Sequence, residues 1–340
     1  MDFIKKLLKR RESSSIIFFL VLYLIVGIAN PAFLEAENIM LGLNGATVYT
    51  ICAIGMAFVI YTGEIDASIG ATLGLSGAVA ASMIRDGKPL GMAILSAVCI
   101  GLIIGVINGF GVAILKVPSI IMTIGMNSVI RGFSYVFTGG AWVENIPSSF
   151  KLISQKGIAG LSWLYITTIV VMIALHIYLS KSKRGRYFQA VGDNAEGALH
   201  IGLPVTYTKM ISFIICAVFA SLASIVFTSR IGFITPTSGG GYEMKAIAAC
   251  VIGGISLSGG VGNMIGATFG ALIMASISRI LVFLGFSSDY DNTITGILLI
   301  SIVVIDAVMQ NRNTEKARRI RMSARTAALI IKPVEGGNTN

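Results

Sequence analysis

Charge is what this 340-residue sequence has least of. Asp, Glu, Lys and Arg together make up 12%, against roughly 25% in an ordinary soluble domain. With 55% hydrophobic residues and a mean hydropathy of +0.84, it has too little polar surface to face water over most of its area. Cysteine is also sparse. Cys52, Cys99, Cys216 and Cys250 all fall in apolar segments, with no CxxC and no Cys/His spacing that could hold a metal, and they read as small packing residues. The two histidines, His176 and His200, stand on different elements and are not expected to form a metal or catalytic pair. No GxxxxGK[ST] run offers a phosphate cradle, and there is no GxSxG elbow, no HExxH and no Ser/His/Asp arrangement. The chain reads as a non-enzyme without a cofactor or metal of its own. The first apolar run is too long for a signal-peptide core and no small-residue cleavage site follows it, so no cleavable signal is expected.

What is present is a series of long apolar runs, several near the roughly 20 residues that cross a bilayer. In lipid every backbone polar group must be paired within the protein, which leaves helical bundles or closed barrels. Barrel strands would show ten-residue alternation, and these runs do not. The fold class is therefore an all-α membrane protein, a polytopic helical bundle of about ten transmembrane helices with some interrupted or re-entrant segments. Its 39 glycines suit close helix approach and broken helices. The expected spans are 15–33, 46–62, 66–84, 91–115, 119–138, 161–179, 209–228, a short and re-entrant 242–255, 261–283 and 293–308.

The net charge of +10 could suggest nucleic acid, but its placement argues for lipid. Of 26 Lys and Arg, 17 lie in residues 1–14, 181–209 and 310–332. The positive-inside rule makes these cytoplasmic, and attraction to anionic headgroups is sufficient to account for them. Ten crossings put both termini on that same side. The chain divides into an amphipathic segment at 1–14, a membrane domain at 15–309 and a basic tail at 310–340, expected to fray from Arg312 onward.

Polar residues inside or beside spans are costly and mark candidate sites. Glu64, Asp66 and Ser68 interrupt an apolar stretch, as a pathway lining or as a solvated turn. Asn108 lies in the fourth span. Asn127 and Arg131 share one face of the fifth, where Arg131 could pair with a carboxylate such as Asp66 or meet solute hydroxyls. Glu243 and Lys245 open the eighth. An ion-coupled secondary transporter would use buried carboxylates in the same way, so these residues alone leave that alternative open. Gly63-Glu-Ile-Asp-Ala-Ser-Ile-Gly70 also matches Gly253-Gly-Ile-Ser-Leu-Ser-Gly-Gly260 at four of eight positions. That match fits an internal duplication or the shared Gly, Ile and Ser content.

Three blocks in order resemble one known family. Gly63-Glu-Ile-Asp-Ala-Ser-Ile-Gly70 is similar to the Gly-x-Ile-Asp-Leu-Ser-Val-Gly stretch of the ribose-type ABC importer permeases, with Ala67 and Ile69 as conservative departures. Val117-Pro-Ser-Ile-Ile-Met-Thr-Ile-Gly125, with Arg131-Gly132 and Thr138-Gly-Gly140, resembles the next block. Ala246-Ile-Ala-Ala-Cys-Val-Ile-Gly-Gly-Ile-Ser-Leu-Ser-Gly-Gly260 resembles the third. Within the family, residues 139–147 and 241–250 look most like permeases for autoinducer-2, with rhamnose permeases close by. The resemblance implies a bacterial inner-membrane subunit working with an ATPase that binds the ATP. It also implies a second permease subunit, identical or paralogous, and an extracytoplasmic solute-binding protein that meets outer loops such as 139–157 and 232–241.

The same resemblance makes residues 185–202 a coupling segment that docks on the ATPase. Its candidate residues are Gly185, Gly192, Asp193, Asn194, Glu196, Gly197, His200 and Gly202. Independently of family, Asp193 or Asn194 can cap a short helix over Ala195–His200 and Gly202 can end it. A plain inner loop stabilised by such caps is the other reading.

Overall fold

The long apolar runs fold as helices in the computed structural model, which describes residues 11–331. The chain opens with α1 (Arg11–Ala29) and a 3-10 turn at Pro31–Leu34. Next come α2 (Ala36–Gly45) and α3 (Thr47–Tyr61), one apolar stretch broken at Ala46. Three further helices follow, α4 (Ile69–Arg85), α5 (Leu90–Ala113) and α6 (Ser119–Thr138). The loop after α6 carries a single helical turn, α7 (Ser148–Lys151), and a hairpin of β1 (Gly157–Ile158) with β2 (Leu161–Ser162). Beyond it lie α8 (Trp163–Lys181), α9 (Lys183–Asp193), α10 (Ala195–His200) and α11 (Val205–Ile231). The last three helices are α12 (Tyr242–Ile252), α13 (Met264–Phe283) and α14 (Tyr290–Ile331).

Among the described residues seven helical stretches are long and apolar enough to cross a membrane, and the chain is a polytopic all-α membrane protein. The predicted second span proves longer, because α2 extends it back to Ala36. The expected polar loop 139–157 holds α7 and leads into the β-hairpin. The amphipathic segment at the N-terminus falls outside the described residues except at its last positions. The helix of α14 continues to Ile331 in place of the fraying expected from Arg312. Ala and Arg are strong helix formers, and the sequence has no glycine or proline between Arg312 and Ile331.

A helix with no polar face belongs inside a bundle. Every residue of α3 except Tyr49 is buried, and α11, α12 and α13 close around it. The tightest pairing, α5 against α11, rests on glycines one turn apart. A Cβ at Gly101 would stand 2.5 Å from the Ala217 carbonyl oxygen, and one at Gly105 only 2.6 Å from Ile214 Cα. Small residues spaced by four let two backbones meet in lipid, where no hydrophobic effect drives helices together. The eleven residues of α12 span about 16 Å at 1.5 Å per residue. That is about half of a 30 Å hydrocarbon core.

Contacts define two ends of the bundle. At one end the α3–α4 turn meets the α12–α13 turn, where Gly260 N donates to Tyr61 O at 3.1 Å. Ser15, near the start of α1, donates from Oγ to Ile252 O at this end. At the other end Val143 and Ile234 exchange backbone hydrogen bonds of 2.8 and 3.1 Å, and Asn44 donates to Gly160 O.

Candidate functional site

The first constellation grows from the turn between α3 and α4. Gly63, at φ +77°, breaks the helix where a side chain would be strained. The freed amides of Ile65 and Ala67 are then bonded by Ser119 Oγ and Thr123 Oγ1 from the start of α6. Asp66 is 1% exposed, which excludes a solvated turn. Its Oδ1 accepts from Ser68 N at 2.8 Å and from Ser68 Oγ at 2.6 Å, and Asn108 Nδ2 donates to Ser68 Oγ at 2.9 Å. Asp66, Ser68 and Asn108 thus form one buried network. Asp66 Oδ2 and Asn108 Oδ1 are buried without a partner. Glu64 stands apart from that network and pairs with Lys209 at 2.5 Å.

The second constellation belongs to Arg131. It does not reach Asp66. Its Nη1 donates to Ser238 O at 2.6 Å and Pro236 O at 3.3 Å, in the glycine-rich loop before α12. That loop seats itself on α4 only because Gly70 and Gly74 lack side chains. A Cβ at Gly70 would lie 2.2 Å from both Gly239 O and Glu243 Oε2, and one at Gly74 2.5 Å from Ser238 O. Glu243 accepts from Gly241 N at 3.1 Å and acts electrostatically on Arg131. Asn127 Oδ1 and Glu243 Oε2 are buried acceptors without a partner. Asn127, Arg131 and Glu243 therefore offer two free acceptors and a guanidinium with donors to spare, the chemistry that meets hydroxyl groups. Lys245 lies outside this group, pairing with Asp291 over the ring of Tyr49.

The third constellation is α9 and α10. Ser182 Oγ caps α9 at Gly185 N, and Asn194, rather than Asp193, caps α10 by accepting from Gly197 N at 2.8 Å. Gly202 ends α10's turn at φ +79°. On its buried side α9 sets Phe188 edge-on against Phe58 of α3. Gly185 fits against the Tyr178 carbonyl oxygen. Gly192 sits where a Cβ would be 1.9 Å from Tyr61 O and 2.6 Å from Gly260 N. One helix thereby touches both turns that share the Gly-x-Ile-x-x-Ser-x-Gly pattern. Asp193, Glu196 and His200 are exposed, and so are Leu199 (64%) and Ile201 (75%).

Sequence reasoning missed Lys209, Asp291, Ser119 and Thr123. Lys209 is 145 residues from its partner, and no local pattern announces such a pairing. Gly70 and Gly74 did carry a signal, a small-xxx-small spacing that starts at the last residue of the Gly63–Gly70 motif. No group of three or more His, Cys, Asp or Glu among the described residues could hold a metal.

Known proteins match this chain over most of its length. The family described as "Branched-chain amino acid transport system / permease component" matches residues 38–303. The autoinducer 2 import system permease protein LsrC of Enterobacter sp. (strain 638) is 36% identical over 319 residues, 94% of this chain and 93% of that protein. LsrC of Salmonella choleraesuis (strain SC-B67) is 35% identical, covering 93% and 92%. LsrC of Yersinia pestis (strain Pestoides F) is 33% identical, covering 98% and 96%. No solved structure matches the chain.

Proposed function

The chain belongs to the family of branched-chain amino acid transport system permease components, and from that premise we propose that it forms the path of an ABC importer for a small polyhydroxylated solute. Autoinducer-2 is the first candidate, from the names of its relatives, and ribose or rhamnose come next. The subunit makes no bond. It supplies two states, opening outward and inward, with different affinities for the solute.

Ten crossings are counted from the seven long stretches, the shorter apolar helices 15–29 and 69–85, and the half-length α12. The end carrying α9 and α10 faces the cytoplasm, since the basic residues 181–186 lie there. Both termini share that side, and the membrane is the bacterial inner membrane. The partners are ATPase subunits that bind ATP, a second permease copy or paralogue, and a solute-binding protein outside. That protein meets the surface where loops 139–157 and 232–241 join through Val143, Ile234 and the stacked rings of Trp142 and Phe233. Asn127, Arg131 and Glu243 line the path. Asp66, Ser68 and Asn108 hold the α3–α4 break below it, and the pairs Glu64–Lys209 and Lys245–Asp291 brace the two ends.

The observation that carries this reading is the two-sidedness of the 183–201 segment. It buries Phe188 and Val191 against the membrane domain while turning Leu199 and Ile201 outward. Apolar side chains exposed together on a capped helix fit a protein partner. The test is ATP-dependent uptake into proteoliposomes holding this chain with its co-expressed neighbours. Ribose, rhamnose and autoinducer-2 are offered in turn, with Leu199→Asp and Ile201→Asp alongside. Uptake that needs ATP and falls in both variants, together with loss of the copurifying ATPase, is expected. Uptake by this chain alone on an ion gradient would return the reading to a secondary transporter.

A further inference from the structure

A fourth constellation lies at the end of the bundle opposite α9 and α10, and transport as described above makes no use of it. Arg230 occupies the last turn of α11 and Arg279 the second-last turn of α13. Between them and α2 is a cavity of about 290 Å³, whose walls include Leu41, Val48, Phe227 and Ile231. Arg230 Nη1 donates to Gly45 O at 2.7 Å and Arg279 Nη2 donates to Asn38 O at 2.9 Å. A Cβ at Gly45 would meet Arg230 Nη2 at 3.5 Å, and one at Gly42 would meet Arg279 Nε at 3.9 Å. Positions three apart on a helix have Cβ atoms about 5–6 Å from each other. The two guanidiniums therefore lie side by side over one turn of α2.

Their charge is uncompensated. Among the described residues the ion pairs are Arg85–Asp86, Lys209–Glu64 and Lys245–Asp291, and neither Arg230 nor Arg279 takes part. Asp291, next to the cavity through Ser278, is paired with Lys245, which together with Ser278 Oγ binds its Oδ2, while its Oδ1 is buried without a partner. Each guanidinium has five donors in a fixed fork, and each gives one hydrogen bond to a carbonyl. A plain snorkelling arginine would reach for water. These two are fastened to backbone carbonyls and border a shared cavity. Leu41 (50% exposed) and Ile231 (49%) carry an apolar surface outward from it.

We propose that this cavity binds a phosphate oxyanion between Arg230 and Arg279, with the phosphodiester of an anionic phospholipid as the ligand its apolar walls fit. Both arginines stand near the ends of helices long and apolar enough to cross a membrane, where headgroups would be within reach. Two forks can grip a phosphate oxygen each, as they would not grip a neutral solute. Inorganic phosphate is the other source of the same chemistry.

The experiment compares the assembled transporter with its Arg230→Gln, Arg279→Gln and doubly substituted forms, with Arg85→Gln as a surface control. Native mass spectrometry reads retained lipid after reconstitution in phosphatidylcholine with or without phosphatidylglycerol. Thermal unfolding with added inorganic phosphate forms the second arm, in phosphatidylcholine alone. Phosphatidylglycerol retention should fall about tenfold in the double variant and stay unchanged in the control. A phosphate-dependent rise in unfolding temperature, lost in the same variants and without retained lipid, would assign the site to the free anion. Equal lipid retention in wild type and double variant, with no response to phosphate, would overturn the proposal. Should either Gln form fail to assemble, the Arg→Lys forms keep the charge without the fork, and unchanged retention in them would count against paired guanidinium binding.

Discussion

Replacing Gly192 with alanine adds one methyl group at the place where three backbones converge. The new Cβ would stand 1.9 Å from Tyr61 O and 2.6 Å from Gly260 N, whereas real Cβ contacts essentially never fall below 3.0 Å. The difference, 3.0 minus 1.9, demands a shift of about 1.1 Å, and both obstacles are backbone. Overpacking of this kind costs about 1–3 kcal/mol. The Gly260 N→Tyr61 O bond of 3.1 Å cannot survive such a displacement, and a buried donor left unpaired adds about 1–3 kcal/mol. Together these give about 2–6 kcal/mol, localised where α9 meets the two turns. Gly197→Ala is the internal comparison. Its Cβ would meet only the Asn194 side chain, at 3.1 Å, and alanine gains about 1 kcal/mol of helix propensity. Thermal unfolding and ATP-driven uptake should both suffer in Gly192→Ala and stay near wild type in Gly197→Ala. Gly192→Ala protein with unaltered unfolding and full uptake would refute the claim that α9 is wedged on those turns.

Three further outcomes are expected. A double-mutant cycle with Glu64→Gln and Lys209→Met should return a coupling of about 1–3 kcal/mol in unfolding free energy, because both side chains are mostly buried at 16% and 21% exposure; a coupling near zero would make the pair incidental. Arg131→Lys should impair uptake almost as much as Arg131→Gln, since an ammonium that takes the place of Nη1 at Pro236 O and Ser238 O leaves none of the guanidinium's other donors for the solute; full activity in the lysine form would count against a role for those donors. Asn194→Ala should destabilise α10 by about 1 kcal/mol, read as roughly fivefold faster amide exchange over residues 195–200, with no such change in α11.

The membrane class, the order of the spans and the cap of α10 were legible because each is a local property: apolar run length, charge placement, a capping residue followed by a glycine. The site was legible only as a roster. Asp66, Ser68 and Asn108 were singled out one by one, but nothing in the chain says that Asn108 leans on Ser68 while Arg131 leans on the loop before α12. Those pairings depend on helix rotation within the bundle, set by glycine contacts such as Gly105 on Ile214 and Gly74 on Ser238. Arg131 was expected to pair with a carboxylate such as Asp66 or to meet solute hydroxyls, and Asp66 is not its partner. Lipid-depth carbonyls left open by a non-helical loop satisfy a guanidinium equally well, and the loop in turn needs donors. Glu64 and Lys245 found charges instead, on Lys209 and Asp291, from elements that the sequence places far away.

The glycine contacts also bear on how movement could cross the membrane domain. If nucleotide binding by a partner pulls on α10, then α9 moves with it, since one residue, Asn194, ends α9 and caps α10. Gly192 rests directly on Tyr61 O and Gly260 N, so displacement there pushes the ends of α3 and of the α12–α13 turn without a side chain to absorb it. From the first turn the push continues along α4, whose Gly70 and Gly74 hold the loop that Arg131 clasps and that leads into α12. Both routes thus converge on α12, one at each of its ends. A half-length helix gripped at both ends by backbone contacts has few intermediate positions, because packed interfaces switch between discrete arrangements rather than deform smoothly. Glu243 stands in its first turn. Moving α12 would therefore alter the distance between Glu243 and Arg131 and, where these two line the path as proposed, its affinity for a hydroxyl-bearing solute.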